Sequence, residues 1–316
     1  VNIFFLSLRK HLKLVYADIP LSAGTLARIA KSVLGAKFIQ FLGGNFYKEL
    51  HASKILFSKL LNTFFLRLCE SSLSAADYVV TEGADLRILL IRRGFPSDKI
   101  GVIPSGVDIA LFKPSEDEGQ IFRQSLGLSR KDRVVVFAGR FSPENGPQQL
   151  INCIPKILLQ VPETKFVFAG WGPLEKELKD AAISYPRNIR NNIIFLGPVS
   201  PQDMSMLYNA ADVCVFPIIF CGGISQVVLE AMACGKTVIT SYAGNNPNLI
   251  RDLENGVLVD PLCVDELVDR IVLCLKNPEL VSRIGSNARK TIEQFYDWEK
   301  IVTQYTKLFE ELLRIE

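Results

Sequence analysis

Residues 213–240 read VCVFPIIFCGGISQVVLEAMACGKTVIT. A β-branched, apolar run stops at Pro217, and the pair Gly222-Gly223 opens a short polar turn. An apolar run of helical length follows, with one carboxylate, Glu230; Gly235 closes it and a second β-branched run starts at Thr237. Strand, turn, helix and strand form the smallest unit of a parallel sheet, because parallel neighbours need a crossover and a helix usually supplies it. Both strands are continuous apolar runs rather than alternating ones, as strands buried on both faces require.

The same pattern extends outward from this unit. Candidate strands are 13–17, 37–42, 78–81 and 99–104 in the first part of the chain. In the second part they are 133–139, 165–170, 192–197, 213–217, 237–240 and 256–259, with helical patterns between. The fold class is therefore α/β with parallel sheets flanked by helices. A length of 316 residues exceeds what one core usually serves, which predicts two domains. Residues 112–132 are polar, with a proline and an acidic run, and mark the expected boundary. A doubly wound nucleotide-binding sheet commonly has about six strands. The first domain shows fewer, and the chain opens on Val1 in mid-pattern, so an upstream segment is expected to be missing. A long helical pattern, about 279–315, closes the chain.

Charge is uneven: residues 1–115 hold fifteen Lys/Arg against eight Asp/Glu, and the remainder twenty-one against twenty-five. A basic first part suits an anionic partner or a membrane surface, and equally an ordinary solvated surface. Seven cysteines lie scattered without a C-x-x-C pair, and the chain has two histidines, so a His/Cys metal cluster is not expected. Thiols inside apolar runs indicate a reducing, cytoplasmic setting. No apolar run reaches the roughly 20 residues that span a bilayer. The sequence has no Walker loop, no D-x-D pair and no G-x-S-x-G elbow.

Three places in the second domain have the form of phosphate sites. In VVVFAGRFSPENGPQQLI, Arg140 follows a strand at the carboxyl edge of the sheet, where open α/β sheets bind ligands. A guanidinium there suits a diphosphate, or alternatively pairs a surface carboxylate. In FVFAGWGPLEKEL, the glycines around Trp171, Gly170 and Gly172, would let backbone approach a ligand, or merely make a tight turn. After Gly222 and Gly223, the amides of Ile224, Ser225 and Gln226 should point outward from a helix start, which favours an anion. Glu230 lies about one turn deeper and could accept hydrogen bonds from a ribose diol. Its neighbours are apolar, so a solvated position was the less attractive alternative.

With these residues in view, the chain resembles retaining nucleotide-sugar glycosyltransferases of the GT-B fold, family 4. The phrases that bear the likeness include ADYVVTEGADLRILLIRRGFPSDKIGVIPSGVD, NIIFLGPVSPQDMSMLYNAADVCVFP, VVLEAMACGKTVIT and NGVLVDP, over roughly 75–316. The resemblance implies two Rossmann-like domains: an incomplete acceptor-side domain over 1–115 and a nucleotide-sugar domain over 116–294. A helix over 295–316 would cross back to the first. It implies a hexose transferred with retention from a nucleoside diphosphate sugar to a glycan or lipid-linked acceptor, without a metal or further cofactor. Arg140 matches the diphosphate arginine, Glu230 the ribose carboxylate, the backbone near Pro198-Val199 the base pocket, and Ile224 to Gln226 the phosphate loop.

Three positions depart from the family pattern. Gly222 stands where a sugar-contacting Glu is usual, eight residues before Glu230; Asn145 replaces a lysine that partners the arginine; and Leu42 or Gly43 replaces a histidine. These departures keep a second expectation open, a binding module that retains the nucleotide pocket and has lost turnover. An NAD enzyme would rest only on the Gly170-x-Gly172 spacing. Nucleic acid is not an expected partner. A basic amphipathic pattern over 47–68, with Lys48, Lys54, Lys59 and Arg67, suits packing on the first sheet and, as an alternative, peripheral membrane contact.

Overall fold

The computed structural model describes residues 12–44, 59–221 and 223–314. The chain divides into two compact units, Val1–Ser105 with Lys300–Glu316, and Gly106–Glu299. Each is a parallel α/β layer.

In the first unit the strands are β1 (Leu14–Ala17), β2 (Lys37–Leu42), β3 (Tyr78–Thr81) and β4 (Ile100–Val102), in the order β1-β2-β3-β4. The helices α1 (Ala23–Leu34), α2 (Lys59–Ala75) and α3 (Ala84–Arg92) connect them. One sheet face packs Phe38, Leu42 and Val79 against Ala27, Cys69 and Leu73. The other packs Ile39, Val80 and Ile103 against Ile301 and Leu308. Of the amphipathic pattern over 47–68, Lys48 and Lys54 lie outside the described residues. Cys69 and Leu73 of α2 face the core, whereas Phe64 stays 55% exposed.

The second unit begins with α4 (Glu116–Ser125), capped by Ser115, whose hydroxyl accepts from the amide of Glu118; three acidic residues complement the helix dipole in its first turn. The sheet contains β5 (Arg133–Ala138), β6 (Thr164–Ala169), β7 (Ile193–Gly197), β8 (Val213–Phe216), β9 (Thr237–Ser241) and β10 (Val257–Val259). Its order is β10-β9-β8-β5-β6-β7, all parallel. The helices are α5 (Pro147–Leu158), α6 (Glu175–Ser184), α7 (Arg187–Arg190), α8 (Pro201–Ala210), α9 (Gln226–Ala233) and α10 (Asn246–Leu249). They are followed by α11 (Val264–Lys276) and α12 (Pro278–Phe295), and then by α13 (Trp298–Arg314), which from Lys300 onward belongs to the first unit. Along β5, Val134, Val136 and Ala138 enter one core while Val135 and Phe137 enter the other, which explains the unbroken apolar run.

Two local features differ from the sequence expectation. The division falls between Ser105 and Gly106, ahead of the polar stretch. Val107 bridges Asp297 and Phe112 packs beside Tyr208, so the segment before α4 is already part of the second core. The closing helical pattern is two helices, α12 and α13, broken at Tyr296 and Asp297. There the amide of Val107 donates to the carbonyl of Tyr296, and that of Trp298 to the carbonyl of Val107.

Candidate functional site

The strand order of the second unit reverses between β5 and β8, and the crevice beyond the carboxyl ends at such a switch point is where open α/β sheets bind ligands. Two adjoining cavities occupy this edge. One, of ≈ 270 Å³, is bounded by Gly139, Arg140, Gly170, Trp171, Val199 and Val227, among others. The other, of ≈ 130 Å³, is bounded by Arg140, Asn145, Ile218, Ser225, Gln226 and Val227, among others. Arg140 and Val227 border both.

The rim is built from main chain. The amide of Gly139 donates to Ala169 O (3.0 Å), that of Gly170 to Gly197 O (2.8 Å) and that of Phe141 to Trp171 O (2.9 Å), so the ends of β5, β6 and β7 step into one another. A Cβ on Gly170 would lie 1.9 Å from Gly139 O, and one on Gly172 2.4 Å from Phe141 O. These glycines are required by backbone crossing. Gly170 also borders the cavity; Gly172, the candidate named from sequence, supports the turn behind it and does not line either cavity. The turn at 143–146 is tied to the segment after β8. Ile219 N and Phe220 N both donate to Glu144 O (2.8 and 3.2 Å), and Gly146, at φ 69, leaves room for Pro217 O.

Arg140 is exposed, and its guanidinium forms no ion pair with a described residue. The alternative of a surface carboxylate partner is thus absent among the described residues. Asn145 borders the smaller cavity while its side-chain amide donates to Arg140 O (2.9 Å). Gly222 lies outside the described residues. Gly223 is buried, its carbonyl accepting from Asn245 N, and Ile224 belongs to the core; neither lines a cavity. Ser225 caps α9 by position without a side-chain hydrogen bond. The amides of Ile224, Ser225, Gln226 and Val227 find no hydrogen-bond partner among the described residues, as a helix start leaves them, while that of Val228 donates to Ser225 O (3.0 Å). Gln226 lines the cavity and its side chain donates to Gly106 O (3.2 Å).

Glu230 is on α9, one turn beyond Val227, on the helix face that also presents Gln226 and Val227. That face is less buried than Val228, Leu229, Ala231 and Met232, so α9 does have an open stripe, contrary to the reading of its sequence as uniformly apolar. Glu230 does not line either cavity, whereas Val227, one turn earlier on the same helix, borders both. Its Oε2 accepts from the hydroxyl of the fully buried Tyr208 (2.9 Å). Burial pushes the Glu230 carboxyl up to about 7, against the opposing Tyr208 hydrogen bond. The sequence reading does not single out Tyr208, Met204 or Val227; Tyr208 sits between Leu207 and Asn209 in a mixed helical stretch, with no local signal to mark it.

Residues 119–291 match the family model for glycosyl transferases group 1. An uncharacterised glycosyltransferase of Methanocaldococcus jannaschii is 32% identical over 219 residues, 68% of this chain and 54% of that protein. D-inositol 3-phosphate glycosyltransferase of Corynebacterium efficiens is 28% identical over 257 residues, 79% of this chain and 60% of that protein. The chain spans little more than half the length of these relatives. Among solved structures, Anabaena HepE in complex with UDP superposes with a TM-score of 0.82 at 24% identity, covering 98% of this chain and 81% of that one. That likeness is one of fold, the GT-B arrangement of two parallel α/β sheets. The chain belongs to the glycosyl transferases group 1.

Proposed function

We propose that this group 1 glycosyl transferase binds a nucleoside diphosphate sugar at the carboxyl edge of its second sheet and transfers the hexose to an acceptor hydroxyl with retention. The observation that supports this most directly is the juxtaposition, around one cavity, of the unpaired Arg140 and Ser225 and Gln226 at the start of α9. The guanidinium and the outward amides would hold the diphosphate and stabilise it as leaving group. Val199 and the backbone beside it would face the base, and Glu230, positioned by Tyr208, the ribose diol. This chemistry needs positive charge and amides at the leaving group, which the chain's own residues supply, and so the reading is metal-independent and family 4-like. The acceptor would be a glycan or a lipid-linked sugar, met at the first unit in the cytoplasm, with peripheral membrane contact as an added proposal.

One observation favours a second reading, a nucleotide-sugar-binding module with impaired turnover. Asn145 is neutral and its side-chain amide donates to Arg140 O, so position 145 adds no second cation beside the arginine. Losing one charged hydrogen bond to phosphate costs roughly 1.5–3 kcal/mol, about ten- to a hundredfold in affinity. Incubation with UDP- and GDP-sugars, scored for nucleotide release with and without acceptor sugars, separates the two. Release establishes the transferase; nucleotide binding by calorimetry without release establishes the module; neither binding nor release rejects both.

A further inference from the structure

The second unit holds a cavity larger than those at Arg140. It is a cleft of ≈ 610 Å³ at the opposite, amino-terminal edge of the same sheet. Arg133 opens β5 there, Asp212 precedes β8 and Lys236 precedes β9, while one face of α12 forms the wall with Arg289, Lys290 and Glu293.

Four cations thus meet two carboxylates, and both carboxylates are committed. Asp212 Oδ2 accepts from Arg123 Nη2 and from the amide of Val134, each at 2.7 Å, and Arg133 stands back at 3.8 Å from the other oxygen. Glu293 accepts from Arg289 Nε at 2.7 Å, and the rest of that guanidinium is engaged by the carbonyls of Ile109, Phe112 and Ala233. Lys290 is exposed and unpaired among the described residues. Lys236 is the unusual member. Its Nζ, half-buried, donates to two carbonyls, Asn209 O (2.8 Å) and Ala211 O (3.1 Å), and forms no ion pair with a described residue. An ammonium has three donors, and carbonyl dipoles do not neutralise its charge. Burial accordingly holds the Lys236 pKa below its ordinary value. On the α12 wall, Ser282 and Ser286 lie one turn apart, exposed, with hydroxyls unengaged by described residues. Pro114, Leu275 and Pro278 add an apolar side.

We propose that this cleft is an anion site, separate from the nucleotide pocket, that takes a small phosphomonoester such as a sugar phosphate. Lys290 and Arg133 hold the dianion with the charge of Lys236 behind them, the serine hydroxyls donate to its free oxygens, and the apolar side meets the organic part. A polyanion such as nucleic acid does not fit the same facts, because residues 116–316 hold more acidic than basic side chains and would repel an extended row of phosphates. The site adjoins the end of α9 that lies away from Ser225, so the two ligands would sit at opposite ends of one helix.

The test uses the whole chain with glucose 6-phosphate and glycerol 1-phosphate as probes, followed by calorimetry and by amide shifts at Thr237, Ser282 and Ser286. Saturable binding is expected, weakening with added salt. The surface variants Ser286→Glu and Lys290→Glu should each weaken it by about tenfold or more, with thermal unfolding unchanged, while Arg140→Ala leaves it intact. Absence of saturable binding up to about 10 mM overturns the proposal. So does binding that survives both surface variants, or binding abolished by Arg140→Ala, since either places the phosphate elsewhere. Because Arg140 is read separately, failure here leaves the nucleotide-sugar reading standing.

Discussion

The two parallel sheets end differently at their carboxyl edges. In the second unit the edge is made of main chain: carbonyls and amides of Gly139, Gly170, Phe141 and Trp171 interlock, and glycines stand where a side chain has no room. In the first unit the comparable edge is made of side chains. Glu82, buried, accepts from the Ser105 hydroxyl at 2.5 Å, Tyr16 stacks on Phe41, and Gly43 is crowded only by the Phe41 ring. The same architecture therefore finishes once as a rigid frame of peptide dipoles, suited to a charged ligand, and once as a set of replaceable groups, suited to varied partners.

The contrast breaks most visibly at the glycines. Gly170→Ala puts a methyl 1.9 Å from Gly139 O at a backbone φ of 134, and should cost about 3 kcal/mol and destroy nucleotide binding. Gly43→Ala meets a ring edge that can turn aside and should cost less than about 1.5 kcal/mol. Equal losses of Tm for the two variants would remove the distinction. Arg140→Ala comes next: with the frame intact, nucleotide affinity should fall about ten- to a hundredfold with Tm unchanged. An unaltered affinity would mean that the frame alone binds.

The smallest effect sharpens the role of Glu230. Its carboxyl, at about 7, is mostly protonated at pH 6 and mostly ionised at pH 8, and the ionised form is the better acceptor for a diol. Nucleotide affinity should therefore rise about tenfold over that interval and stay flat in Glu230→Gln. Stability of the free protein runs the other way. The folded acid holds its proton at pH values where the unfolded one, near 4.5, has lost it. The stabilising contribution, full below about 4.5, is therefore lost as pH rises towards 7. A pH-independent affinity in the wild type would sink this account of Glu230.

The sequence made the layer architecture readable because the central strands, such as β5, β8 and β9, are buried on both faces, and ten apolar runs match the ten described strands. What it left unreadable depends on contacts distant in the chain. The break between α12 and α13 is set by Val107 reaching Asp297, and neither residue signals the other locally. The spacing Gly170-x-Gly172 could not say which glycine faces the cavity, since Phe141 decides it from another loop. Arg140 was legible by its place after a strand. The environment of Glu230 was not, because Tyr208 comes from a different helix.

The knot between the 143–146 turn and the 217–220 segment has an engineering consequence. Pro217, Ile219 and Phe220 meet Glu144 and Gly146 through peptide groups, so side-chain identity at positions 144 and 219 is uncoupled from these bonds at the pocket mouth. Chemistry there can be erased or written back by single codon changes while the scaffold stays as it was, and a lysine placed at 145 would exchange one amide bond to Arg140 O for a second positive charge at the cavity.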